Sequence, residues 1–116
     1  MVQKSKTLAA APPTRIEVAV GILIRASDGA LLLTSRPSGK VRAGWWEFPG
    51  GKLMRGESPE DAVRRELMEE LQVKVTNLRD FYTVEYDYPD FHLSMECYYC
   101  SLADESDEPQ KHDHQL

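Results

Sequence analysis

The residues whose type and spacing can do chemistry lie close together. Glu66, Glu69 and Glu70 stand at i, i+3 and i+4, so on a helix their carboxylates cluster on one side. Three acids that close repel one another and weaken an isolated helix. A hard divalent cation reverses that sign, because Mg²⁺ and Mn²⁺ prefer carboxylate oxygens. A solvated acidic face would give the same three glutamates. What separates the two readings is the company they keep: a Gly50-Gly51 loop, a further acid at Glu57 and a cation at Arg65.

The segment that must position them reads as loop, helix start and helix. Ser58 suits an N-cap, since its hydroxyl can accept from an orphan amide of the first turn. Pro59 fits the first helical position, where its missing N–H costs nothing. Asp61 offers a return contact like that of a capping box. The helix runs from there to about Leu71, with Val63, Leu67 and Leu71 on the stripe expected to face the core.

Around this segment the chain reads mostly as strands. Residues 1–14 mix small, polar and proline residues without period and read as a flexible tail. Ile16, Val18, Val20, Ile22 and Ile24 recur at period two, which predicts a strand over 15–25. Ser27-Asp28-Gly29 is a hairpin signal, with a partner strand expected over 30–35. Residues 36–44 form a polar loop carrying Arg36, Lys40 and Arg42. Trp45, Trp46 and Phe48 read as core packing, with Trp46 and Phe48 sharing a face. Residues 74–80 read as a connection and 81–88 as a strand. Tyr88-Pro89-Asp90 is a turn. Residues 91–102 then form a long strand with Leu93, Met95, Cys97 and Tyr99 on one face and His92, Ser94, Glu96, Tyr98 and Cys100 on the other. That alternation separates Cys97 from Cys100, so their C-x-x-C spacing reads as structural rather than redox or zinc-binding.

Composition narrows the functional classes. A chain of 116 residues allows one domain with a modest core. Apolar residues make up 41% and charged residues 28%, as in ordinary globular domains. The net charge of −5 argues against attraction to duplex nucleic acid or anionic membrane. No apolar run reaches the length of a membrane span, and Leu8 to Ala11 is too short for a signal peptide core. A cytoplasmic protein is expected. The pattern leaves oligomeric state open.

With these residues in place the segment resembles the Nudix box: a Gly, five residues, Glu, seven residues, Arg-Glu, an apolar residue, any residue, Glu-Glu, any residue, Gly and an apolar residue. Gly51, Glu57, Arg65, Glu66, Leu67, Glu69, Glu70 and Val73 fill it in order. Gln72 stands where the pattern has its late Gly. A left-handed residue ends a helix cheaply when it is Gly, so Gln costs about 1 kcal/mol if the backbone is unchanged. The stretch from Trp45 to Gly51 is similar to the lead-in of MutT-like members.

The resemblance implies a Nudix-type α/β/α sandwich, an α+β fold with a mixed sheet, spanning 15–116. It also implies a further strand and closing helix beyond Leu116, so this chain alone is expected to be marginally stable or self-associating. Hydrolysis of a nucleoside diphosphate linked to another group is the implied chemistry. MutT-like members take a nucleoside triphosphate and yield the monophosphate and pyrophosphate, with 8-oxo-dGTP as the leading substrate. A CTP or pyrimidine nucleotide pyrophosphohydrolase, to which the His112-Asp113-His114-Gln115 ending is also similar, is the second reading. A nucleotide-sensing domain without turnover is the third, and the full set of box acids argues against it. Mg²⁺, with Mn²⁺ as substitute, is the implied cofactor. Glu66, Glu69, Glu70 and the Gly50 carbonyl match metal ligands, Glu57 a supporting acid and Arg65 the residue that orients a box glutamate. Asp113 matches a late-loop acid that reaches the metals, with a tail residue as the alternative. Arg36, Phe48 and Gly51 match positions that border the nucleotide.

Overall fold

The computed structural model describes residues 14–35 and 46–110. Seven elements follow in order: β1 (Thr14–Leu23), β2 (Thr34–Ser35), β3 (Trp46–Glu47), β4 (Gly50–Lys52), α1 (Pro59–Leu71), β5 (Val75–Asp87) and β6 (Phe91–Leu102). Four strands make a mixed sheet in the order β4-β1-β6-β5, and β2 and β3 pair as a separate antiparallel ribbon. Within the large sheet β1 runs parallel to β6 and antiparallel to β4, while β5 and β6 form an antiparallel hairpin.

Register assigns the faces. Ala19, Gly21 and Leu23 of β1 align with Glu96, Tyr98 and Cys100 of β6, and α1 lies on this side. Its stripe of Val63, Leu67 and Leu71 is fully buried, joined by Ala62, Val73, Val75 and Leu102 in one core. Gly21 permits the close approach: a Cβ there would come within 2.9 Å of the Val63 side chain and 3.0 Å of Leu67. Complete burial of a leucine such as Leu67 is worth roughly 1.5–3 kcal/mol relative to exposure. The opposite face is apolar across three strands. Ile16, Val18, Val20 and Ile22 align with Leu93, Met95, Cys97 and Tyr99, and these with Tyr86, Val84, Tyr82 and Arg79. The strand's two faces are therefore as the alternation predicts, and the one against α1 is that of Tyr98 and Cys100.

The helix forms where its local signals put it. Ser58 takes extended backbone angles and its hydroxyl accepts from the Asp61 N–H at 3.1 Å. The Asp61 carboxylate itself accepts from Arg64 at 3.0 Å, so among the described residues the capping-box return gives way to a surface ion pair. At the other end Gln72 adopts the left-handed conformation, φ 58° and ψ 39°, and its N–H donates to the Met68 carbonyl. The backbone is thus the one a Gly would favour, kept by a residue that pays a steric cost there.

Three expectations need correction. β5 begins at Val75, not at Phe81, so residues 75–80 are strand rather than connection. Register shifts between Thr76 and Arg79 and between Asp80 and Tyr82, with Asn77 at φ 57°, break its alternation and hide it from a period-two reading. Strand structure over 30–35 shrinks to Thr34–Ser35 plus a single Ile24–Leu31 bridge. The Trp46–Phe48 pair is not core: Trp46 is 69% exposed on the β2–β3 ribbon, and Phe48 is only half-buried. Trp45 lies outside the described residues. The α+β fold with a mixed sheet is as expected, with α1 the one helix among the described residues.

Candidate active site

The site is built from the loop after β4 and the exposed side of α1. Gly50 and Gly51 pair with Val20 and Ala19 of β1, and both need to be glycine for steric reasons. A Cβ at Gly50 would run into the β1 backbone at Ala19, and one at Gly51 would overlap the Glu66 carboxyl. Position 51 thus seats Glu66 against the sheet edge. Beyond β4 the chain makes a tight turn in which the Glu57 N–H donates to the Met54 carbonyl at 3.0 Å. The Met54 N–H returns the contact to Glu57 Oε1 at 2.9 Å. Gly56, at φ 77°, supplies the left-handed residue that this turn requires.

Arg65 ties that loop to the helix. Its Nε donates to Glu57 Oε2 at 2.8 Å and its Nη2 to Glu57 Oε1 at 2.9 Å, a two-pronged fork. Nη2 also donates to the Lys52 carbonyl at 3.0 Å. Nη1 reaches Glu66 Oε2 at 3.0 Å and, more loosely, Glu69 Oε1 at 3.4 Å. One guanidinium therefore touches three box glutamates. The Arg65 side chain is 21% exposed and that of Glu57 14%, so solvent screens the pair only partly. The fork, helped by the Met54 N–H, holds the Glu57 carboxyl down at about 2. Glu57, followed by Glu66, raises the Arg65 guanidinium above its ordinary value.

Glu70 behaves in the opposite way. Burial pushes its carboxyl well above the usual range, and a hydrogen bond with the Glu66 carboxyl pushes it further. A bond from the Gly50 backbone opposes the shift, and the Glu47 charge adds to it. Two carboxyl groups in hydrogen-bond contact need a proton between them or a cation in its place. That donor set fits a divalent ion: oxygen ligands, excess negative charge and one acid held away from water. Among the described residues no three acids, histidines or cysteines already converge on one point. Arg65 accounts for this in part, since it draws Glu66 and Glu69 toward Glu57.

The structure thus brings Gly50, Gly51, Glu57, Arg65, Glu66, Glu69 and Glu70 into one continuous network or its immediate border. Phe48 precedes the buried Pro49 at its edge. Arg36 and Asp113, like His112 and His114, lie outside the described residues. Three participants escaped the sequence reading: the Lys52 carbonyl, the Met54 N–H and Glu47. The first two act through the backbone and carry no side-chain signal. Glu47 lies within two residues of the buried Pro49, inside the lead-in segment, and that nearness was the available clue. Cys97 and Cys100 are free thiols, half-buried and buried, and burial raises both, that of Cys100 to about 11. Thiols so placed are unreactive.

The NUDIX domain family matches residues 15–115, and the chain belongs to it. Within that family it is similar to MutT-like hydrolases. An 8-oxo-dGTP diphosphatase of Escherichia coli (strain K12) is 40% identical over 81 residues, covering 70% of this chain and 62% of that protein. A CTP pyrophosphohydrolase of the same organism is 48% identical over 61 residues, covering 53% of this chain and 44% of that protein. The crystal structure of a MutT NUDIX hydrolase from Burkholderia pseudomallei superposes with a TM-score of 0.70 at 28% identity, covering 84% of this chain and 74% of that one. The chain thus spans less than two thirds of the length of these two curated relatives. The superposition accords with the mixed sheet and single described helix.

Proposed function

We propose that this chain carries the catalytic machinery of a metal-dependent nucleoside triphosphate pyrophosphohydrolase, with 8-oxo-dGTP as its leading substrate and Mg²⁺ as its ion. The observation that carries the reading is the Arg65 guanidinium shared among Glu57, Glu66 and Glu69 beside Glu70, because it sets one cation against four clustered box acids. Mn²⁺ would serve in the same place.

When bound, the ion would neutralise phosphate charge and lower the pKa of a coordinated water. Glu66, Glu69, Glu70 and the Gly50 carbonyl are the groups that would hold it. Arg65 keeps Glu66 and Glu69 aimed, and Glu57 anchors Arg65 through both of its oxygens. Water adds to phosphorus as the anhydride bond breaks, leaving nucleoside monophosphate and pyrophosphate. Asp113, Arg36 and Phe48 remain proposed contributors, the first near the ion and the others near the nucleotide.

A CTP or pyrimidine nucleotide substrate is the second reading. It is favoured by the 48% identity to the CTP pyrophosphohydrolase over 61 residues. Turnover of 8-oxo-dGTP, dGTP, CTP and dCTP in Mg²⁺, with products separated by anion exchange, distinguishes them. A kcat/KM highest for 8-oxo-dGTP supports the first reading, and one highest for CTP or dCTP the second. Release of orthophosphate instead of pyrophosphate from every substrate would overturn both.

A further inference from the structure

We propose that the outer edge of β5 is an interaction surface for a second copy of this chain. The two β5 strands pair antiparallel, with Val84 facing its own counterpart on a twofold axis. A strand at the edge of a sheet presents unpaired N–H and C=O groups, a template on which another strand can add. β5 is such a strand. It ends the order β4-β1-β6-β5, and among the described residues β6 is the one strand it pairs with.

Bulges are among the devices that keep an edge from pairing, and here they guard only the first half of the strand. Register shifts fall between Thr76 and Arg79 and between Asp80 and Tyr82, whereas Tyr82 to Asp87 pair with Cys97 to His92 without a break. That regular stretch is open to solvent. Val84 is half-buried and the rest is exposed, Tyr82 by 64% and Tyr86 by 57%.

Symmetry and charge then select the register. Two identical antiparallel strands in one sheet are related by a twofold axis through a residue that faces its own copy. The longest pairings that stay within the regular stretch centre on Val84, over 82–86, or on Glu85, over 83–87. The second sets the Glu85 carboxylate against itself, and like charges directly opposite are unfavourable. The first sets Val84 against Val84, Tyr82 against Tyr86 and Thr83 against Glu85, so no like charges meet and two aromatic pairs form. Tyr82, Val84 and Tyr86 align with Cys97, Met95 and Leu93 on the sheet face away from α1. Pairing in this register therefore joins the apolar faces of two four-stranded sheets into one. An overlap this short makes a small interface, so the dimer is weak and reversible. Nothing in this inference depends on the proposed hydrolase activity.

The test is sedimentation equilibrium of the intact chain over a wide range of protein concentration. A monomer–dimer equilibrium is expected. Thr83→Lys places an ammonium opposite Glu85 twice in each dimer and should tighten it roughly fivefold, while Thr83→Glu opposes two carboxylates and should weaken it by a similar factor. Thr76→Lys makes the same charge change on the bulged half of the strand and should leave the equilibrium unchanged, with circular dichroism showing all variants folded. A parent that is monomeric throughout would overturn the proposal. So would association that responds alike to the two Thr83 variants, or that Thr76→Lys tightens as much as Thr83→Lys does.

Discussion

Two clusters of carboxylates in this molecule meet different fates. In the β5–β6 hairpin, Glu85 and Asp87 flank His92, which reaches Asp87 through Nδ1 at 2.5 Å and Glu85 through Nε2 at 2.6 Å. Ser94 adds a hydrogen bond to Glu85 at 3.1 Å. With an acid on each ring nitrogen the imidazole is favoured as the cation, and its pKa rises, chiefly through Asp87 and then Glu85. In the box, Glu57, Glu66, Glu69 and Glu70 also lie together, and the cation at hand, Arg65, is shared among the first three. The hairpin sets one imidazole against two carboxylates, whereas the box sets one guanidinium against four. The cluster with the larger surplus of acids is the one proposed above to take a ligand.

That contrast can be broken most forcefully by removing box acids. Glu69→Gln or Glu70→Gln should lower turnover more than about 100-fold, beyond the 10–100-fold typical of outer-sphere partners. The metal-free Glu70→Gln protein should melt no lower than the parent, because a half-buried carboxyl crowded by Glu66 has been replaced by an uncharged isostere. Near-normal turnover in both variants at millimolar Mg²⁺ would remove the metal assignment.

Next in size is the scaffold under the acids. Leu67→Ala should cost about 2–5 kcal/mol of stability, since the side chain is wholly buried against Gly21. An unchanged urea midpoint would mean that α1 does not pack on β1 as described. A smaller effect of opposite sign is expected at the helix end. Gln72→Gly should stabilise by up to about 1 kcal/mol by relieving the left-handed backbone, offset in part by added freedom in the unfolded chain. Urea unfolding of this variant would measure the balance.

These elements divide sharply in how far they could be read from sequence. The box helix was legible because its determinants are local: the Ser58 cap and the Val63-Leu67-Leu71 stripe fall within one loop and one helix. β5 was half hidden, because bulges at Asn77 and Phe81 on an edge strand erase the alternation that marks a strand. Trp46 misled for another reason. An aromatic in a short strand looks like core until one knows that its ribbon, β2–β3, stands apart from the main sheet. Both faces of β6 were visible, but which of them α1 covers is settled by packing across more than twenty residues of sequence. The charge balance of the box was beyond reach as well, because it depends on where Arg65 spends its hydrogen bonds.

The hairpin provides the smallest effect and the internal control. His92 has a folded pKa raised above its unfolded value. Its contribution is therefore present in full below about pH 6.5 and is lost as pH rises through the folded value. The cluster is largely exposed, so the change should be modest. A melting temperature that falls from pH 6 to pH 9 in the parent and falls less in His92→Gln is expected. Identical profiles would show that the pairing contributes nothing.

Metal binding itself decides between the two clusters. The measurement is a Mn²⁺ titration followed by calorimetry and melting temperature on the parent, Glu70→Gln and His92→Gln proteins. Saturable binding and a rise in melting temperature are expected in the parent and in His92→Gln, and both should be lost in Glu70→Gln. Equal binding in all three, or loss in His92→Gln alone, would contradict the claim that the clustered carboxylates of the box are the metal site.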